Sequence, residues 1–255
     1  QMNDPAYFYQ LNDKIEFDTI FSDLLKRRFL DLRKTDAAGL RDFCAGTDAI
    51  FCKPAGLCGG EGIQRLVTAD IDDYDALYDR LVKGGQLLIE EPIRQHPDMN
   101  RLCPDSVNTV RIVTLVTEQG AQMVYALVRM GMGGVCVDNV SSGGMYAPVN
   151  EHGQLYRPAF CDKTGKYYER HPVTGTEITG FQIPLFDQAL ELCRTASKRV
   201  EVHLKYIGWD VAITPDGPVL VEGNNLPGYD MCQNAGHVDE GMLPRFEKLL
   251  GRPIM

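Results

Sequence analysis

Asp210, Glu222 and Asn224 lie on two apolar runs, about 207–213 and 218–223, joined by Thr214-Pro215-Asp216-Gly217. That tetrapeptide is a type I turn signature, and its glycine suits the left-handed position of a three-residue hairpin loop centred on Asp216. Counting outward puts Asp210 directly opposite Glu222 on one face, with Asn224 two residues further along it. Facing carboxylates destabilise a sheet, and an uncompensated charge beside a burying stretch costs several kcal/mol. Mg²⁺ takes oxygen from one or two carboxylates and keeps positions open for phosphates, so these three residues form a candidate half-shell. A solvated hairpin face is the simpler alternative. The buried character of Val219-Leu220-Val221 and the strand stop at Pro227-Gly228 weigh toward a shaped site.

Lys53 closes another apolar run, and Gly56, Gly59, Gly60 and Gly62 follow it without bulk. Such a loop leaves backbone N–H groups free to approach an anion, as a phosphate site needs. It is neither a Walker A loop nor a dinucleotide fingerprint, and an ordinary flexible hairpin stays open as the alternative. Arg111 and Arg129 each lie nine residues from Gly120, so a hairpin centred there sets the guanidiniums opposite each other. That arrangement requires an anion, either a phosphate or neighbouring acids. His96 and His171 each precede proline; a structural role is the first reading, and contact with ribose or substrate is the alternative. Trp209 alternates away from Asp210 and is expected in the core.

The elements that must position these residues follow from periodicity. Phe17, Ile20, Phe21, Leu24, Leu25, Phe29 and Leu32 predict one amphipathic helix over 17–33, with a short helix after Thr35. Strands are expected over 48–53 and 63–67, a helix over 71–83, an extended stretch over 86–90 and a brief helix over 96–102. Alternation predicts long strands over 107–117 and 122–130, then short strands over 131–182. A helix opens at Pro184, with Phe186, Ala189, Leu190, Cys193, Ala196 and Val200 on one face, and a last helix spans about 239–250.

The chain has 255 residues, 44% of them hydrophobic, enough for one large domain or two small lobes. Its formal charge of −9 argues against non-specific nucleic-acid binding and against docking on an anionic membrane. No apolar run approaches the ~20 residues of a membrane helix, and the first residues lack a signal-peptide pattern. A cytoplasmic location is therefore expected, with Met2 as the natural start or, as the alternative, a trimmed upstream segment. The eight cysteines show no C-x-x-C spacing and are expected to be reduced thiols.

Taken together, Lys53-Pro54 with its glycine loop, "LLIEEPI", "VNTVRIVTL", "DNVSSGG", "GWDVAITPDGP" and "VEGNNLPG" resemble the ATP-grasp superfamily, and most closely its sugar-transfer-associated group. The resemblance covers most of the chain from Lys14 onward. It implies an α+β, ATP-grasp fold of two lobes gripping ATP between antiparallel sheets. The expected divisions are an N-terminal helical segment (1–46), a small lobe with flap and hinge (47–93) and a large lobe with the metal site (94–255). Lys14 is similar to the first phosphate-binding lysine and Lys53 to the second, with Gly59, Gly60 and Gly62 in the flap over the β- and γ-phosphates. "LLIEEPI" resembles the hinge that holds adenine by backbone around Glu91 to Ile93, with Glu90 or Glu91 nearby. Asp210, Glu222 and Asn224 match the Mg²⁺ positions. Arg111, Arg129 and Asn139 are the implied acyl-phosphate or γ-phosphate residues.

The implied activity is an ATP- and Mg²⁺-dependent ligase joining a carboxylate to an amine, with a link to glycan or cell-surface polymer synthesis. The alternatives are a kinase acting on a sugar or polyol hydroxyl, and a nucleotide-binding module without chemistry. The expected partner is a small-molecule acceptor. Two departures stand out: Gly208-Trp209 occupy the place where the superfamily often has an arginine, and 13 residues precede Lys14 where many relatives carry a separate acceptor-binding domain.

Overall fold

The computed structural model describes residues 2–56, 61–133, 143–228, 230–236 and 240–254. They fall into two compact units, one of residues 9–93 and one of the first eight residues together with 94 onward. Residues 9–46, set apart in the sequence reading as a helical segment, cluster with 47–93.

In the smaller unit four strands are described: β1 (Phe29–Asp31), β2 (Ala49–Lys53), β3 (Gln64–Val67) and β4 (Leu88–Glu90). They form an antiparallel sheet in the order β1-β4-β2-β3. Two amphipathic helices, Ala37–Cys44 and Tyr74–Lys83, are capped by Asp36 and Asp73, which accept from Gly39 N and Ala76 N at 3.0 and 2.9 Å. Leu40, Phe43, Leu77 and Leu81 from these helices pack on Ile50, Cys52 and Ile89 of the sheet as one core.

The expected single helix over 17–33 is corrected. Helical turns run over Lys14–Ile20 and Ser22–Leu25, and the helix stops at Lys26, a left-handed residue with φ 49°. Phe29 then pairs with Glu90 in β1, and Leu32 starts a 3₁₀ turn. The apolar spacing continues in helical phase across this break, but ladder bonds to β4 and ion pairs of Arg27 and Arg28 with Glu90 and Glu91 outweigh it.

The larger unit, among its described residues, is built on β5 (Val110–Thr117), β6 (Gly120–Met130), β7 (Met145–Val149), β8 (Ala159–Cys161), β9 (Lys166–Tyr168), β10 (Tyr206–Thr214) and β11 (Gly217–Asn224). The antiparallel order is β11-β10-β5-β6-β7-β8-β9. Residues 110–115 of β5 are all buried because both faces are covered. On one face lies the helix Phe186–Val200, whose Ser197 Oγ meets Thr114 Oγ1 at 3.1 Å; Thr114 Oγ1 in turn accepts from Trp209 Nε1 at 2.9 Å. Trp209 is therefore core, as expected. On the other face Val113, Leu115, Tyr125 and Leu127 pack with Cys232, Ala235 and Met242. Cys232 and Ala235 come from a helix, Asp230–Gly236, that the periodicity did not announce, and the last helix is Leu243–Leu250. The six described cysteines are free, buried thiols.

Both hairpin registers depart from the counts above. Thr117 pairs with Gly120, so the turn is Glu118-Gln119, and a register shift between Val113 and Thr114 sets Arg111 opposite Leu127. Arg129, two residues beyond Leu127, lies diagonal to Arg111 on the same face rather than directly across. In the last hairpin Thr214 pairs with Gly217, a two-residue turn with Gly217 at φ 112°. That turn alone would bring Val221 opposite Asp210. A bulge between Asp210 and Val211 adds one residue on β11 and restores Glu222 to that place.

Candidate active site

In the larger unit, β10 and β11 bring the two carboxylates together and β5 and β6 supply the arginines. Asp210 is 1% exposed. Arg111 Nε and Nη2 donate to its Oδ1 and Oδ2, each at 2.7 Å, and Arg129 Nη1 donates to Oδ2 at 2.6 Å. Burial by itself would raise the Asp210 pKa; the two guanidiniums outweigh it and hold the group well below the usual carboxylate range. The arginines thus take an acid as partner, the alternative left open beside phosphate.

Glu222 stands 3.8 Å from Arg111 Nη2 and keeps 38% of its side-chain surface open, although it sits deep among protein atoms. Its pKa is pushed up to about 7, by burial first and then by the negative charge of Asp210. Asn224 pairs with Gly208, and its Nδ2 donates to the Gly208 carbonyl at 3.3 Å, which leaves the amide oxygen as its ligand atom. Among the described residues no three His, Cys, Asp or Glu side chains gather as a metal cluster.

The set fits Mg²⁺ by its donor chemistry. A carboxylate offers about four lone-pair sites; the arginines take three on Asp210, and the Asp210–Glu222 hydrogen bond that uses the remainder is one a cation between the two carboxylates would replace. Glu222 is partly open and poorly stabilised as an anion, and a divalent cation is the partner that would restore its charge.

The loop after Asn224 is shaped from beneath. Tyr125 Oη donates to the Gly228 carbonyl at 2.7 Å. A Cβ on Gly208 would come within 2.6 Å of Pro227 Cβ, so the glycine makes room for the proline of "NNLPG".

In the smaller unit Lys53 ends β2 and forms an ion pair with Glu90, which is 1% exposed. Arg27 Nε donates to Glu90 Oε1 at 2.7 Å, and Arg27 Nη2 stands 3.9 Å from the buried Asp18. Burial opposes ionisation of Glu90, but Arg27 and then Lys53 bring its pKa down to about 2, while burial and the neighbouring Glu90 push Asp18 up to about 8. Lys14 begins its helix with its N–H on the Ala55 carbonyl at 2.9 Å, tying that helix to the loop just after Lys53. Gly62, at φ 72°, closes the loop with its carbonyl accepting from Gln86 Nε2 at 2.7 Å. Gly59, Gly60 and Asn139 lie outside the described residues.

The acidic side chains of the hinge stretch are held in ion pairs within the smaller unit. Glu90 serves Lys53 and Arg27. Glu91 accepts from Arg28 Nε and N at 2.7 and 2.9 Å, and its own N–H donates to the Arg28 carbonyl. Ile93 is the last residue of the smaller unit. Arg27 and Asp18 were missed from sequence; the available signal was the basic doublet Arg27-Arg28 matching the acidic doublet Glu90-Glu91, each beside a short apolar run. His96 Nδ1 caps a helical turn by accepting from Asp98 N at 3.1 Å. His171 is buried, its Nε2 on the Gly131 carbonyl at 2.8 Å.

No curated protein sequence matches the chain. Among solved structures it is similar to D-alanyl-alanine synthetase A from Vibrio cholerae O1 biovar eltor str. N16961, with TM-score 0.50 and 14% identity over 96% of this chain and 62% of that one. It is similar to the ATP-grasp ligase PsnB, complexed with a phosphomimetic variant of its minimal precursor, Mg and ADP, with TM-score 0.53 and 17% identity over 92% of this chain and 55% of that one. The D-cycloserine synthetase DcsG gives TM-score 0.53 and 13% identity, covering 96% and 70%. At these identities the likeness shows the fold alone, and the chain spans less than two thirds of the first two. The sequence profile of the sugar-transfer associated ATP-grasp family matches residues 1–249, and the chain belongs to that family.

Proposed function

We propose that this protein is an ATP- and Mg²⁺-dependent ligase that activates a carboxylate as an acyl phosphate for attack by an amine. The observation that carries the reading is the buried Arg111–Asp210–Arg129 cluster beside the partly open Glu222. Two guanidiniums and two carboxylates on one sheet face are a charge set suited to a cation and a phosphate bound together. Asp210, Glu222 and Asn224 would hold Mg²⁺, which when bound neutralises charge on the phosphate oxygens. Lys14 and Lys53 bind phosphate oxygens, and Arg111 and Arg129 stabilise the transferring phosphoryl group. Gly62, in the flap, would lie by the phosphates, and the backbone of 91–93 would hold adenine.

In the reaction the acceptor carboxylate oxygen bonds to the γ-phosphorus while the bond from that phosphorus to the β,γ-bridging oxygen breaks, releasing ADP. The amine nitrogen then bonds to the acyl carbon, the acyl C–O bond breaks, and inorganic phosphate and one proton leave. The family's description, sugar-transfer associated, favours an acceptor from glycan or cell-surface polymer assembly. Incubation with ATP, Mg²⁺ and pooled acids and amines tests the reading, with amide and inorganic phosphate expected in equal amounts. A phosphorylated hydroxyl product without phosphate release would replace the ligase by a kinase. Nucleotide binding with no turnover of any pool would leave a binding module.

A further inference from the structure

Asn3 is 8% exposed, and its side chain spends all of its hydrogen-bonding capacity inside the larger unit. Oδ1 accepts from Lys205 N and Tyr206 N, both at 2.8 Å. Nδ2 donates to the Tyr206 carbonyl at 2.6 Å and to the Asn225 carbonyl at 2.8 Å. One side chain therefore joins the start of β10, the strand that carries Asp210, to the residue that follows Asn224.

The segment around Asn3 is itself anchored. Asn3 bridges Leu204, Asp4 N donates to the His203 carbonyl at 2.9 Å, and the Tyr7 ring stacks on His203 with centroids 3.4 Å apart and planes 5° from parallel. At the other end of the loop Tyr125 holds Gly228. Asn225 is buried, so its carbonyl would be left without this partner in a low-dielectric setting if Asn3 were removed. Asn224 pairs with Gly208 at the last rung of the β10–β11 ladder, where strand pairing by itself holds least.

We propose that Asn3 is a positioning residue for the cation site: it fixes the Asn225 carbonyl against β10, so that Asn224 stays in line with Asp210 and Glu222. The proposal rests on the reading of those three residues as the cation ligands. Removal of groups that orient metal ligands lowers metal affinity about 10- to 100-fold, and the same range is expected here.

The test compares wild type, Asn3→Asp and Asn3→Ala. Asn3→Asp keeps the side-chain shape and the two contacts to Lys205 N and Tyr206 N but loses both donors, so it separates the loop tether from the docking of the segment. Backbone amide exchange over 222–228 in the unliganded proteins should be faster in both variants. Calorimetry with ADP should show Mg²⁺ affinity lowered about 10- to 100-fold in both, while ADP affinity in EDTA is unchanged. Wild-type exchange rates and Mg²⁺ affinity in Asn3→Asp would overturn the proposal and leave the cation-site reading standing. Equal losses with Mg²⁺ and in EDTA would also overturn it, as a mark of general destabilisation. Absence of any Mg²⁺ dependence in wild type would overturn the cation-site reading, and the proposal with it.

Discussion

Asp210→Asn separates a buried counter-charge from a residue that serves only a bound cation. The substitution keeps one oxygen for Arg111 but removes the charge that two guanidiniums share, on side chains only 10% and 6% exposed. Breaking a buried pair by removing one partner costs about 3–5 kcal/mol. Glu222, 3.8 Å from Arg111, is freed from its like-charged neighbour and takes up part of the role, which places the loss near the lower end, at about 3 kcal/mol. For a unit of this size each kcal/mol shifts Tm by about 2–4 °C, so the transition of the larger unit should fall by about 6–12 °C. Calorimetric unfolding at pH 7 without Mg²⁺ measures it. Glu222→Gln is the control with the opposite sign: it removes the repelled partner, so stability without Mg²⁺ is unchanged or higher, while both variants lose the stabilisation that Mg²⁺ with ADP confers. A Tm for Asp210→Asn within about 2 °C of wild type, or an equal loss in Glu222→Gln, would refute the assignment of Asp210 as the shared counter-charge.

Three further outcomes follow from the same contacts. Glu222 titrates near 7 in the fold and near 4.5 unfolded, so its contribution is fully present below pH 4.5 and is lost as pH rises through about 7. The stability difference between wild type and Glu222→Gln should fall across that window by on the order of 1 kcal/mol, solvent screening of the exposed side chain included; a flat difference denies the coupling. Gly208→Ala forces a Cβ to within 2.6 Å of Pro227 and should cost about 1–3 kcal/mol, read by thermal unfolding. Arg27→Met leaves buried Glu90 to Lys53 alone and should destabilise the smaller unit by about 3 kcal/mol, read by amide exchange over 27–31 and 88–91.

The sequence by itself determined the elements whose signal is local. The helix Phe186–Val200 follows from its apolar spacing, and the last hairpin follows from Thr214-Pro215-Asp216-Gly217 between two apolar runs. Asp210 opposite Glu222 was legible for the same reason, although the count reached it because a tighter turn and a bulge cancel. Tertiary structure decided what periodicity cannot encode. The apolar spacing runs on in helical phase past Lys26, yet residues 29–31 form β1, because Arg27 finds Glu90 across 63 positions of sequence. Arg111 and Arg129 carry a visible demand for an anion, but their acceptor, Asp210, lies 99 and 81 positions away. Asn3 and Asn225 are 222 apart. A local pattern states which face of an element is apolar. Which charge meets which in a buried setting depends on strand neighbours, and there desolvation makes an unpaired group too costly to leave.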